Sequence, residues 1–579
     1  MKEIIKHWTE KLNQNDPLKL ELERLQTLDD TSKLQESFYQ SLAFGTGGMR
    51  GEIGVGPNRM NRFTVRKAAR GLSQYLDGQE GKTKTVVIAY DSRHMSKDFA
   101  MEAAITLVYS GYTVEVFEQL APTPILSFAV RERQAIAGIM ITASHNPPQY
   151  NGIKIYNRDG AQLPPEASDE LIKFVNQIED ELSIPTADED KAIENGSLKM
   201  IGDEVSNRYQ EELSKLLHHP KLGQSQGKDV TVVFTPLHGT AHRPVLDAFH
   251  RNGYTNVHVV EEQAEPDPQF STVSLPNPEE EEAFELAAKR GQQVDADLLV
   301  ATDPDADRVG IAVRDKSEPN GYRLLTGNET GLLLLHYVLE ETAKQRPLTQ
   351  NDIILKTIVT SESGRQLAEH YGANCEDTLT GFKFIAEKIK AYESTDKTFL
   401  FGYEESYGYL AGSFVRDKDA VQIALIVAEL ALVAQSEGQN LKERLNRLYE
   451  QFGYFKEKTN SIELTGQAGQ KKIEGLLQHY RHAPPKEFAG RKIVQIEDYD
   501  SGRRTDVSKG TYSGIALPKS NVLKYFLEDD SWVCIRPSGT EPKVKIYTGA
   551  QARTNHLVQE ALEDISQAVM NDVNDQLSE

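Results

Sequence analysis

Short apolar runs that end in polar turns alternate with helix-compatible segments along most of this chain. KTVVIAYDSR, residues 84–93, reads as a buried strand entering a polar turn, and YTVEVFE, residues 112–118, reads as a second strand after an intervening helix. The succession recurs across residues 229–261, in DVTVVFTPLHG, VLDAFHRNG and TNVHVVE, and closes at ADLLVATDPDADR, residues 296–308. It returns less cleanly around DIILKTIVTS and TFLFGYEES. Apolar runs of strand length separated by helices predict parallel sheets covered on both faces, and therefore an α/β class. In such sheets the loops after the carboxyl ends of the strands carry ligand-binding side chains, because the sheet fixes their position while the side chains stay free.

The pattern also sets the domain organisation. At 579 residues the chain is too long for one hydrophobic core. Candidate linkers lie near residues 183–194, 317–321 and 465–470, so four domains are expected, over residues 1–205, 206–316, 317–450 and 451–579. The last does not repeat the strand–helix succession and closes with a helix over residues 556–573. The opening forty residues are helix-rich and carry no recognisable chemistry, and the glycine-dense stretch 44–61 reads as a loop. AVQIALIVAELALVA, residues 420–434, is short and holds Gln422 and Glu429, so it predicts a buried helix and no membrane span.

Charge and cysteine content narrow the partners. A formal charge of -22 argues against nucleic acid and anionic lipid, so a phosphorylated ligand needs a local positive site. Cys375 and Cys534 cannot build a disulfide framework, and MKEIIKHWTEKLNQNDP lacks the apolar core of an export signal; a reducing, cytoplasmic setting is expected.

Four stretches carry candidate chemistry. In ITASHNPPQYNGIKIY, residues 141–156, an apolar run opens into a turn that puts Ser144 at an exposed strand end, either as a nucleophile or as an ordinary Ser/Asn turn. No G-x-S-x-G elbow surrounds it, so a hydrolase triad is not supported. In TDPDADR, residues 302–308, Asp303, Asp305 and Asp307 offer hard oxygen ligands suited to Mg²⁺ or Ca²⁺. An EF-hand is excluded, since arginines, Arg308 and Arg314, stand where its glycine and glutamate belong. In FGYEESYGYLAGSFVRDKDA, residues 401–420, Glu404 and Ser406 can hold sugar hydroxyls and Lys418 can add a cation. In CIRPSGTEPKVKIY, residues 534–547, Arg536 precedes a Pro-Ser-Gly-Thr turn, which is either a phosphate cradle or a plain turn between strands. Arg50 in GTGGMRG and Lys383 in TGFKF each add one cation on a loop.

Together and in this order, these stretches resemble the α-D-phosphohexomutase superfamily over nearly the whole chain. TASHNPPQYNGIKIY is similar to its phosphoserine loop, TDPDADR to its metal loop, GYEESYG to its sugar loop and RPSGTEPK to its phosphate loop. The length and the EES form look most similar to the longer bacterial phosphoglucomutases, with phosphopentomutases also similar. The resemblance implies three related α/β domains with mixed sheets and a fourth α+β domain around a central cleft. It implies interconversion of glucose 1-phosphate and glucose 6-phosphate through phosphorylated Ser144 and a glucose 1,6-bisphosphate intermediate. Mg²⁺ would be held by Asp303, Asp305, Asp307 and the phosphoserine. Lys154 would be the general base, provided its pKa is lowered, with Arg50, His145 and Arg308 stabilising charge. Glu404, Ser406, Lys418 and Lys383 would hold the sugar, and Arg536, Ser538, Gly539 and Thr540 its phosphate. The implied assembly is a monomer or a weak homodimer. Two departures matter. GTGGMRG differs from the usual Thr-Ser-Gly-Leu-Arg form, so only Arg50 carries over. Tyr407 and Gly408 stand where enzymes acting on both glucose and mannose phosphates have a histidine, which argues against mannose phosphate. Phosphopentomutase or phosphomannomutase activity is the nearest alternative; a sugar-phosphate phosphatase or a non-catalytic sensor is the alternative from another class.

Overall fold

The computed structural model describes residues 1–45, 48–79, 83–464, 466–538 and 543–578. The chain divides into two compact units, one of Met1–Thr330 with Phe382–Leu441, the other of Gly331–Gly381 with Lys442–Glu579. This division passes through residues 317–450, which the sequence pattern reads as one domain.

In the first unit the opening residues form the helices Lys2–Lys11, Pro17–Thr27 and Ser32–Phe38. They bury Trp8, Leu22, Leu25 and Phe38 against Val55 and Phe63. Asp16 caps the second helix by accepting the Leu18 N–H and also pairs with Arg62. The first forty residues are therefore part of this unit's core.

Beyond them lies a seven-stranded mixed sheet. Ala137–Ile141 runs parallel to Thr85–Tyr90 and antiparallel to Tyr150–Asn157, so Ser144 sits in the connection between two paired strands. The glycine-dense stretch is only partly loop. Gly48–Glu52 pairs with Tyr150–Asn157 and sets Arg50 opposite Gly152. A Cβ on Gly48, whose φ is +125°, would lie 2.0 Å from the Ile153 carbonyl oxygen, so this glycine serves close strand approach.

A second, five-stranded sheet places Leu298–Thr302 parallel to Val232–Thr235 and antiparallel to Val309–Arg314. The three aspartates fill the turn between its antiparallel partners. Beside the parallel pairs expected from the apolar runs, these two sheets carry antiparallel ones and are mixed, as the family resemblance implies, because the Ser144 and aspartate loops each double back into an antiparallel strand. The hairpin Thr398–Glu404/Gly408–Leu410 leads to the helix Ala420–Ser436, capped by Asp419 and buried through Ala434. No single helix among the described residues is long and apolar enough to cross a membrane.

In the second unit Asp352–Thr357 pairs in parallel with Asn374–Thr378. The C-terminal sheet is antiparallel and is backed by the helices Gly466–His482 and Asn555–Ser578. This is the expected α+β arrangement, except that most of the expected linker at 465–470 is the first turn of a helix.

Candidate active site

Strand Ala137–Ile141 ends at buried Thr142, whose hydroxyl accepts the Ser144 N–H at 2.8 Å. This turns the chain and leaves Ser144 in the left-handed region, φ +53°. A non-glycine residue held there costs on the order of 1 kcal/mol and persists where surrounding bonds impose it. Ser144 is 2% exposed, so it is buried rather than at an exposed strand end. Its Oγ donates to Asp303 Oδ2 at 2.7 Å and lies 3.2 Å from His145 Nδ1.

The aspartate turn closes on itself. Asp303 Oδ1 accepts the N–H groups of Asp307 and Arg308 at 3.1 and 3.0 Å. One carboxylate oxygen from each of Asp303, Asp305 and Asp307 lies within 4.8 Å of the others, and all three residues are buried. Neighbouring elements hold the turn from both sides. Thr123 donates its N–H to the Asp305 carbonyl and its hydroxyl to Asp305 Oδ2, at 2.9 and 2.7 Å. The Ala420 N–H donates to the Ala306 carbonyl, and the Val309 N–H to the Tyr407 carbonyl in the turn of the hairpin Thr398–Glu404/Gly408–Leu410, both at 3.1 Å.

Two lysines offset this negative charge. Lys154 Nζ lies 2.7 Å from Asp305 and 3.1 Å from Asp307. Lys418 Nζ lies 3.2 Å from Asp307 and 3.1 Å from Asp417, whose other oxygen accepts from Tyr156 Oη and Gln162 Nε2. Lys418, read from the sequence as a cation for the sugar, is therefore seated on the aspartate cluster. Arg308 pairs with Glu279 at 2.5 Å, and Arg50 Nη1 donates to Asn146 Oδ1 at 3.3 Å.

Burial, then the charges of Asp305 and Asp307, hold the Asp303 carboxyl well above the usual range. For Asp307 burial acts in the same direction, but Lys154, Lys418 and Arg308 outweigh it and hold the group low. Burial would lower Lys154, yet Asp305 and Asp307 overcome it and raise its pKa. That direction is opposite to the lowering that a general base requires. Burial followed by Arg308 and Arg50 keeps His145 well below its ordinary value, hence neutral near pH 7.

The donor set fits a hard divalent cation. Asp305 Oδ1 and Asp307 Oδ1 are buried with no hydrogen-bond partner among the described residues, and oxygens left so are costly unless a cation takes them.

Arg93, which the sequence reading passed over as the end of a strand, is fully buried and bonds backbone carbonyls of the Ser144 loop. Its position just after an apolar strand was the available signal.

The other expected residues lie on separate supports. Glu404 ends the strand Thr398–Glu404, buried, with Ser406 half-buried in the turn that follows. Lys383 stands in the first turn of the helix Phe382–Tyr392. In the second unit, Arg536 is half-buried on Trp532–Pro537 with Nη1 3.5 Å from Tyr547 Oη, and the Ser538 N–H donates to the Lys543 carbonyl at 2.7 Å. Gly539 and Thr540 lie outside the described residues.

Comparison with known proteins matches four family models. Three are the phosphoglucomutase/phosphomannomutase alpha/beta/alpha domains I, II and III, at residues 41–182, 207–316 and 326–452, and the fourth is the family's C-terminal domain, at residues 489–565. A phosphoglucomutase of Staphylococcus saprophyticus is 40% identical over 541 residues, covering 93% of this chain and 95% of that protein. One from Staphylococcus aureus is 40% identical over 90% of this chain and 91% of its own length. Among solved structures, the Paramecium phosphoglucomutase pp63/parafusin in its open form superposes with a TM-score of 0.68 at 17% identity, covering 93% of this chain and 96% of that one. A family protein of Burkholderia thailandensis gives 0.64 at 19% identity, covering 91% and 96%. At these identities the structural matches speak for the fold.

Proposed function

This chain belongs to the phosphoglucomutase/phosphomannomutase family, and we propose that it interconverts glucose 1-phosphate and glucose 6-phosphate by way of a phosphorylated Ser144. The observation that carries the reading is the Ser144 hydroxyl 2.7 Å from Asp303, inside a cluster of three buried aspartates. Relatives named phosphoglucomutase, aligned over nearly the full chain, support glucose as the sugar. Four domains, over residues 1–205, 206–316, 317–450 and 451–579, are our proposal for the organisation around this chemistry.

Asp303, Asp305, Asp307 and an oxygen of phosphorylated Ser144 would hold Mg²⁺, which when bound offsets charge on the phosphoryl group and polarises phosphorus. The rest is the work of side chains. The free sugar hydroxyl attacks phosphorus in line, the bond to Ser144 Oγ breaks, the proton lost by the attacking hydroxyl ends on the released Ser144 hydroxyl, and the product is glucose 1,6-bisphosphate. Lys154, Arg308, Arg50 and neutral His145 surround the group with donors and positive charge, so we assign Lys154 to stabilising charge rather than to taking the hydroxyl proton. Glu404, Ser406 and Lys383 bind the sugar, and Arg536, Ser538, Gly539 and Thr540 bind the phosphate that is not being transferred. The bisphosphate then turns over and returns its other phosphate to Ser144. A buried serine excludes water, which favours transfer over hydrolysis.

The test is turnover of glucose 1-phosphate, with Mg²⁺ and a trace of glucose 1,6-bisphosphate, coupled to oxidation of the glucose 6-phosphate formed. Mannose 1-phosphate and ribose 1-phosphate are run beside it. Preference for glucose 1-phosphate is expected. A higher kcat/KM on either rival sugar overturns the substrate, release of inorganic phosphate at the turnover rate marks a phosphatase, and tight binding without turnover marks a sensor.

A further inference from the structure

We propose that Arg93 is the positioning residue of the serine loop: it fixes the backbone of residues 144–150 so that the Ser144 hydroxyl faces Asp303. The inference rests on Ser144 being the group that carries phosphate. Its basis is the destination of a single guanidinium. Nη1 donates to the carbonyls of Pro147 and Tyr150 at 2.8 and 3.0 Å. Nη2 donates to the carbonyl of Ser144 at 2.6 Å and to that of Asn146. Four carbonyl oxygens thus converge on one side chain. Their negative ends would repel one another if the cation were absent, and the loop would open.

The guanidinium is itself held from other directions. The Arg93 side chain has no solvent exposure and its Nε lies 3.5 Å from Asp91 Oδ2. Asp91 Oδ1 accepts the Arg93 N–H at 3.0 Å and the Ser96 hydroxyl at 2.6 Å. The Phe270 ring packs on the guanidinium at 4.9 Å. Arg93 therefore stands in the turn just after the sheet strand Thr85–Tyr90 and reaches a loop more than fifty residues downstream.

Only a planar fork does this. Lysine keeps the charge but presents a single nitrogen, which cannot meet four acceptors spread over seven residues. Arg93 makes no bond to Ser144 Oγ; it acts through the backbone. Its loss lets Ser144 relax from its left-handed conformation and moves the hydroxyl relative to Asp303. A misplacement of about 1 Å at a reacting atom costs about 100-fold in rate. The groups proposed to bind sugar and phosphate lie elsewhere, so binding is left almost intact.

The experiment compares wild-type protein with Arg93→Lys in full-length form. Expected are a kcat for glucose 1-phosphate lower by about 100-fold and a KM within about threefold. The rate at which glucose 1,6-bisphosphate loads phosphate onto Ser144, followed by intact mass, falls in parallel, at a temperature where circular dichroism matches wild type. Should Arg93→Lys fail to fold, Phe270→Leu removes only the stacked ring, and it is expected to lower kcat severalfold at unchanged KM. A folded Arg93→Lys with kcat within twofold of wild type overturns the inference, as does a KM that rises in step with the fall in kcat. Wild-type protein that neither turns over nor takes phosphate overturns the proposed function, and this inference with it.

Discussion

Replacing Gly327 by alanine would test whether the sugar-loop hairpin is set by backbone contact. Gly327 begins the helix Gly327–Gln345, and its carbonyl accepts the Tyr409 hydroxyl at 3.0 Å. An added Cβ would lie 1.9 Å from the Glu405 carbonyl oxygen. Ordinary contact begins at 3.4 Å, so the turn carrying Glu404 and Ser406 must retreat by about 1.5 Å. The obstacle is backbone, so no rotamer change relieves it. Overpacking of this kind costs about 1–3 kcal/mol of stability, which a unit of this size tolerates. The functional cost is larger, because a displacement of about 1 Å in a positioning group removes about 100-fold. For Gly327→Ala we expect kcat/KM on glucose 1-phosphate to fall by about that factor, measured in the coupled assay. Mg²⁺ affinity should fall less than it does in a variant lacking one of the aspartates, since all three carboxylates remain. A folded variant with kcat/KM within twofold of wild type would refute the claim that the Glu404–Ser406 turn recognises the sugar.

Two further outcomes follow from the charges. Asp305→Asn removes one of the three clustered carboxylates; titration calorimetry should show Mg²⁺ binding weakened by at least about 100-fold, and unchanged affinity would show that the cluster does not hold the metal. His336, 3.2 Å from the Tyr371 hydroxyl and facing Glu340, Arg444, Lys344 and His370, is held by burial at a pKa of about 4 against an ordinary 6.5. Between those values the unfolded chain binds the extra proton, so stability is present above pH 6.5 and is lost as pH falls toward 4, by at most about 3 kcal/mol. Thermal unfolding of His336→Gln should show a shallower acid loss than wild type, and an identical slope would exclude His336 as its source.

The sequence made the supports of the site legible because each is an apolar run ending in a polar turn. The strands 85–90, 137–141 and 298–302 are buried from residue 86, 137 and 298 onward, and Ser144 and the three aspartates follow closely on two of them. Several features depended on distant partners and were not legible. Lys154 reads as a candidate base, and its contacts with Asp305 and Asp307 come from more than a hundred and fifty residues away. Lys418 reads as a sugar ligand, and its ion pair with Asp307 comes from a distant loop. Arg93 reads as the polar end of a strand because its acceptors are backbone carbonyls, which carry no sequence signature. Glycines in residues 44–61 suggested a loop, yet Gly48 is glycine because a strand passes too close for a side chain. The opening forty residues lacked chemistry in the sequence because their task is packing, with Trp8 set edge-on against Phe38 and Phe63.

The central claim is that Ser144 carries the phosphoryl group. Its most direct measurement is peptide mass spectrometry of protein incubated with glucose 1,6-bisphosphate and Mg²⁺, followed by addition of glucose 6-phosphate. The account predicts one added phosphate on Ser144, its loss to the sugar on chase, and neither phosphate nor turnover in Ser144→Ala. Phosphate on another residue, or Ser144→Ala with near-normal turnover, would contradict it.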